Sequence, residues 1–212
     1  MKFKIEKLGF KVIELQNGQK NKLNKNFSLN IFAADNCNPE LCYKFNGCAD
    51  LNIKDETQQI DSMAVISDEK FNLLNVNDCP FSLAKSTLED IKKKYSIDLL
   101  LLGYGGAGPY PQCFENLNDE EKIEEANKKI NSFLEMSINF IKSIKPKFYM
   151  PFAGTYVLTG KLSKLQEIRG VPHIDQAHTY IKNRLNSSSE ISSHGIKLNT
   201  DCTFCLKTKS YT

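Results

Sequence analysis

Three apolar runs break off at the same kind of place, and they constrain the fold more than any other feature of the chain. "KFNLLNVNDCPF" (70–81) stops at Asn77, Asp78, Cys79 and Pro80. "IDLLLLGYGG" (97–106) ends in glycines, and "KFYMPFAG" (147–154) runs into Gly154. Amphipathic stretches separate them. In "SLAKSTLEDIKKKYS" (82–96), Leu83, Leu88, Ile91 and Tyr95 fall near one helical face. In "DEEKIEEANKKINSFLEMSINFIKSI" (119–144), Ile123, Ala126, Ile130, Phe133, Leu134, Ile138 and Ile141 form an apolar stripe. Acids occupy the first turn of that stretch, as a helix dipole favours, and Pro146 ends it. Strands interleaved with helices predict an α/β layered domain. If the three strands lie side by side, their terminal loops form one rim, where α/β folds place ligands.

The remainder fits around this frame. "FKVIEL" (10–15) alternates like a strand, "QNGQKNKLNKN" (16–26) reads as a turn region containing Asn17-Gly18, and "FSLNIFAA" (27–34) as a second strand. Residues 35–60 read as an irregular loop holding Cys37, Cys42 and Cys48. "DSMAVIS" (61–67) pairs as a hairpin with the strand that follows it. Further helices are expected around Gly160–Arg169 and Asp175–Leu185, then a polar loop (186–195). "IKLNTDCTFCLKTK" (196–209) alternates like a terminal edge strand. No internal repeat or linker divides the chain, so residues 1–212 are expected to form a single domain.

With 41% hydrophobic and 25% charged residues the chain can bury an ordinary core. Its 28 basic and 25 acidic residues leave a net charge of +3, which provides no electrostatic argument for nucleic acid or an anionic membrane. No apolar run approaches the ~18 residues that span a bilayer. The start, "MKFKIEKLGFKV", carries charges throughout and has no secretory core, so a cytoplasmic location is the default expectation. Seven cysteines with no sign of export predict free thiols.

Asp78 has two readings. As a helix cap it would start the helix beyond Pro80. As a carboxylate at a strand end it would suit a metal that takes oxygen ligands. The loop "GYGGAGPYPQCF" (103–114) matches no nucleotide-binding glycine pattern. Its glycines either let backbone approach a ligand or only permit a tight loop. Tyr104 and Tyr110 could stack on, or hydrogen-bond to, a sugar or base. His173 and His178 are five apart, a poor pair on one helix face, and His194 stands apart. Cys202 and Cys205 form a CxxC, but an alternating strand would turn the two thiols to opposite faces. A nucleophilic Cys79 or Cys113 would need a partner base that the sequence does not locate.

Taken together, "IFAADNCNPELCYKFNGCA", "DSMAVISDEKFNLLNVNDCPF", "LLLLGYGGAGPYPQCF", "KFYMPFAG" and the closing "GIKLNTDCTFCLKT" resemble the C-terminal half of a metallo-β-lactamase-fold protein. More narrowly, they resemble the lactamase-like domain of CMP-N-acetylneuraminate hydroxylase and its bacterial sugar-modifying relatives. The resemblance covers most of residues 30–210. It implies an αβ/βα sandwich, with Asp78 as a metal ligand and Tyr104, Gly105, Gly106 and Tyr110 at the substrate. Zinc or iron would be the metal, and a sialic acid or nucleotide sugar the substrate. The chain departs from the pattern where that fold binds its metal. The HxHxDH motif of the N-terminal half is absent, and Phe152 and Ala153 stand where the last histidine is expected. The hydroxylase's Rieske motif is missing as well. The resemblance therefore implies a chain that is not active alone and that is completed by a partner subunit or self-association. The alternative is a binding or assembly module that keeps the fold without catalysis.

Overall fold

The computed structural model describes residues 2–35, 61–187 and 191–212. The Cys37, Cys42 and Cys48 loop lies outside the described residues. A short helix α1 (Lys2–Glu6) precedes the first strands. One seven-stranded sheet then runs in the spatial order β1 (Lys20–Lys22), β2 (Ser28–Ala33), β3 (Ser62–Ser67), β4 (Asn72–Asn75), β5 (Leu99–Leu102), β6 (Phe148–Pro151) and β7 (His194–Gly195). The first three pairings are antiparallel and the last three parallel. The crossovers carry α2 (Lys85–Lys94), α3 (Asp119–Ile144) and α4 (Ile174–Asn186). This is the expected mixed α/β architecture.

Alternation along the strands decides where the helices sit. Val65, Leu74, Leu100 and Tyr149 lie in one cross-strand row, all at most 1% exposed. They share a core with Leu88 and Ile91 of α2, Ile138 and Ile141 of α3, and Ile181 and Leu185 of α4. Burying a side chain of this size contributes about 1.5–3 kcal/mol relative to exposure. The opposite face carries the row Leu29, Ile66, Leu73 and Leu99, which is only half-buried. One helical layer is thus packed on one face of the sheet among the described residues.

Side-chain carboxylates and amides cap the helix starts. On α3, Asn118 and Glu121 form a reciprocal capping box. The chain leaves α3 through Lys145 in the left-handed region, just before Pro146. The cap of α2 comes from far away in sequence. The Asp35 carboxylate accepts hydrogen bonds from the backbone amides of Ser86 (2.8 Å) and Thr87 (2.9 Å). Asp98, 4% exposed, immediately precedes β5. It accepts from the Asn72 amide (2.9 Å) and pairs with Lys147 (2.6 Å), tying together the starts of three strands.

Three expectations change. "FKVIEL" is not a strand, and Phe10 and Ile13 are 66% and 71% exposed. Asn24 accepts from the amides of Asn26 and Phe27 and tightens the turn, so Lys20–Lys22 pairs with β2 in its place. The C-terminal segment is not a long edge strand. His194 and Gly195, expected in a loop, form the edge, and a turn at Asn199–Cys202 diverts the rest into a separate ribbon of β8 (Phe204–Cys205) and β9 (Ser210–Tyr211). The helix around Gly160–Arg169 is a 3-10 helix, Gly160–Ile168.

Asp35→Ala removes the side-chain cap that the described residues place on α2. It is expected to cost about 1 kcal/mol, at most about 2, measured as a lower denaturant midpoint with an unchanged slope.

Candidate functional site

Parallel pairing of β4, β5 and β6 brings their C-terminal ends to one edge. A cleft of about 450 Å³ opens there. Asn75, Asn77 and Asp78 line it from the β4 end, Gly103 and Gly105–Ala107 from the β5 end, and Phe152–Tyr156 from the β6 end. Phe133 and Met136 of α3 form its floor. The volume is that of a small-molecule site. The single rim expected from the sequence is present.

Backbone contacts hold the three loops together. The Val76 amide donates to the Leu101 carbonyl (3.1 Å) and the Phe152 amide to the Leu102 carbonyl (2.8 Å). Ser137 of α3 donates to the Gly103 carbonyl (3.0 Å). Gly105 and Gly154 meet backbone to backbone. A Cβ on Gly105 would lie 2.6 Å from the Gly154 carbonyl oxygen, and Gly154 has φ +146. These glycines therefore serve loop packing, whatever else they contact. Asn77 (φ 51) and Ala153 (φ 55) are both held in the left-handed region. Asn tolerates that geometry, but for Ala it is strained.

The residues singled out from the sequence fall in different places. Asp78 lines the cleft, as do Gly105 and Gly106. It does not cap α2, which Asp35 does. Tyr104 does not line the cleft: it is 3% exposed and packs with Leu134 of α3 and Ala177 of α4. Tyr110 does not line the cleft either. Its hydroxyl donates to Glu125 and its ring meets Phe114 edge-on, outside the cleft. His173 caps α4, accepting from the Asp175 amide at 3.3 Å, and neither it nor His178 lines the cleft. Cys79 is 1% exposed, too buried for an accessible nucleophile, while Cys113 is exposed. Cys202 and Cys205 are exposed free thiols on the ribbon. Thr208 and the amides of Thr208 and Lys207 hold the Cys205 thiol below its ordinary pKa.

Tyr156 is the cleft residue that sequence reading missed. Gln112 Nε2 donates to its hydroxyl (3.3 Å), which donates to the Gly108 carbonyl (3.3 Å). Burial holds its phenol above the ordinary pKa, while Gln112 and the charge of Arg169 draw it back. A lone tyrosine beyond "MPFAG" carries no pattern that would have marked it.

The expected zinc or iron was tested against the donors present. Among the described residues, no group of three or more His, Cys, Asp and Glu side chains could hold a metal. The cleft offers the Asp78 carboxylate beside two asparagines, whereas a tight zinc site takes three or four protein ligands. These residues do not fit a metal site by themselves. No helix among those described is long and apolar enough to cross a membrane.

No family model and no curated protein matches the sequence. Solved structures do resemble the fold. CmlA, a diiron β-hydroxylase from Streptomyces venezuelae, superposes with a TM-score of 0.50 at 12% identity, over 93% of this chain and 36% of that one. A mutant of the CmlA β-hydroxylase gives 0.53 at 10% identity, over 93% and 35%. Igni18, a metallo hydrolase from Ignicoccus hospitalis, gives 0.47 at 12% identity, over 92% and 61%. The chain spans about a third of the hydroxylase's length. At these identities the likeness is one of fold alone.

Gly105→Ala is expected to destabilise by about 1–3 kcal/mol through overpacking. Ala153→Gly is expected to stabilise by up to about 1–2 kcal/mol by relieving left-handed strain. Paired thermal melts check both.

Proposed function

We propose that residues 1–212 form one domain that holds substrate for a metal-dependent hydrolase- or hydroxylase-type protein, with Asp78 as one ligand of its metal. The observation that carries this reading is the position of the Asp78 carboxylate, at the end of the parallel strand β4 on the wall of the rim cleft. Zinc or iron, once held, would supply Lewis acidity or an activated water or oxygen species. Its other ligands would come from outside the described residues, from a partner subunit or a second copy. On this reading the chain would not act alone.

The side chains of this cleft bind and exclude water. Phe133, Phe152 and Tyr156 offer aromatic faces on which a sugar or base can stack. Gly105 and Gly106 present backbone without side chains. A sialic acid or nucleotide sugar is the substrate class this combination suits.

Ala153, standing on the rim where a histidine is expected, favours a second reading, a binding or assembly module that keeps the cleft without catalysis. Metal content, measured by plasma mass spectrometry after purification without chelator, separates the two. The first reading expects a fraction of an equivalent of zinc or iron in the wild-type chain and its loss in Asp78→Ala. Equal contents in both proteins would remove Asp78 from the metal and leave the module.

A further inference from the structure

A second cluster of polar side chains stands behind the Tyr156 wall, and its charges do not balance. Arg169 is only 9% exposed, and a guanidinium stays charged at any accessible pH. A buried charge is costly unless it is paired. Arg169 Nη1 donates to the Gln166 carbonyl (2.5 Å), and the guanidinium centre lies 5.9 Å from the Tyr156 ring centroid. Its Nε has no partner among the described residues, and no described carboxylate forms an ion pair with it.

Lys129 of α3 is the second cation. Its ammonium donates to the carbonyls of Tyr110 (2.8 Å) and Arg169 (3.2 Å), both uncharged acceptors. Burial holds its pKa below the ordinary lysine value. It forms no ion pair among the described residues either.

Gln112, 3% exposed, completes the cluster. Its Nε2 donates to the Gly108 carbonyl (2.6 Å) and to Tyr156, which leaves Oε1 without a donor. Tyr156 is thus flanked by a buried donor and a buried acceptor, each unfilled among the described residues. Tyr156 and Ala107, the neighbour of Gly108, both line the cleft. A bridging water could complete the two hydrogen bonds, but it would leave both positive charges uncompensated.

We propose that Arg169 and Lys129 form an oxyanion subsite behind Tyr156, adjoining the cleft, which takes the phosphate or carboxylate of a hydroxyl-bearing small molecule. The charged oxygens answer the two cations, and the ligand's hydroxyl answers Gln112 Oε1. The proposal rests on the reading of the rim as a small-molecule site, and it locates where the anionic group of that molecule would sit.

The test titrates the purified chain with inorganic phosphate, with glycolate, and with sodium chloride at matched ionic strength, read by calorimetry. Saturable binding of phosphate or glycolate, absent with chloride, is expected, and the tighter of the two identifies the headgroup. Arg169→Gln and Lys129→Met should each weaken it at least tenfold, Arg169→Lys should restore part, and Lys93→Met on the exposed face of α2 should leave it unchanged. Circular dichroism confirms folding, and Lys129→Met carries the comparison if Arg169→Gln does not fold. Absence of saturable binding, or equal affinity in both charge variants and wild type, overturns the subsite. The metal content of Asp78→Ala is a separate readout, so failure of the metal reading and failure of the subsite are told apart.

Discussion

Parallel hydrogen bonding of β5 between β4 and β6 is the constraint on which the rest of the molecule depends. Parallel strands need crossovers, so α2 and α3 are obligatory, and both land on one face of the sheet. The same parallelism points three strand ends in one direction. The loops after β4, β5 and β6 then meet at a single rim and enclose a cleft. Asp98 reinforces this from the other end, joining the starts of β4, β5 and β6 through Asn72 and Lys147.

The rim is built for close backbone contact more than for chemistry. Gly105 against Gly154, and the left-handed Asn77 and Ala153, bring three chain turns within touching distance. Such strain persists where surrounding packing over-determines it, and it gathers at ligand sites. The cleft has a carboxylate on the β4 side and, behind the β6 side, two cations with no described counter-charge. That separation of charge would orient a ligand with an anionic group at one end.

Much of the frame was readable in advance. The apolar runs of β4, β5 and β6, the stripe of α3 and its acidic first turn are local signals, and local signals survive in sequence. Asp78 was legible because a carboxylate interrupts an apolar run at a strand end. Tyr104 and Tyr110 were not, because adjacent positions in a glycine loop give no clue to which side faces the core. "FKVIEL" has the alternation of a strand, but the Asn24 turn folds Lys20–Lys22 onto β2, so that segment takes the place beside β2.

The sequence by itself determined the α/β class, the order of the central elements and the candidacy of Asp78, since periodicity and chain breaks are properties of neighbouring residues. Tertiary structure alone decided the long-range pairings. Asp35 caps a helix some fifty positions away (|i−j| = 51). Tyr156 reaches the cleft wall, and Lys129 of α3 meets Arg169 across a separation of 40 residues. Such contacts depend on how layers pack in three dimensions, and no local pattern along the chain encodes that distance.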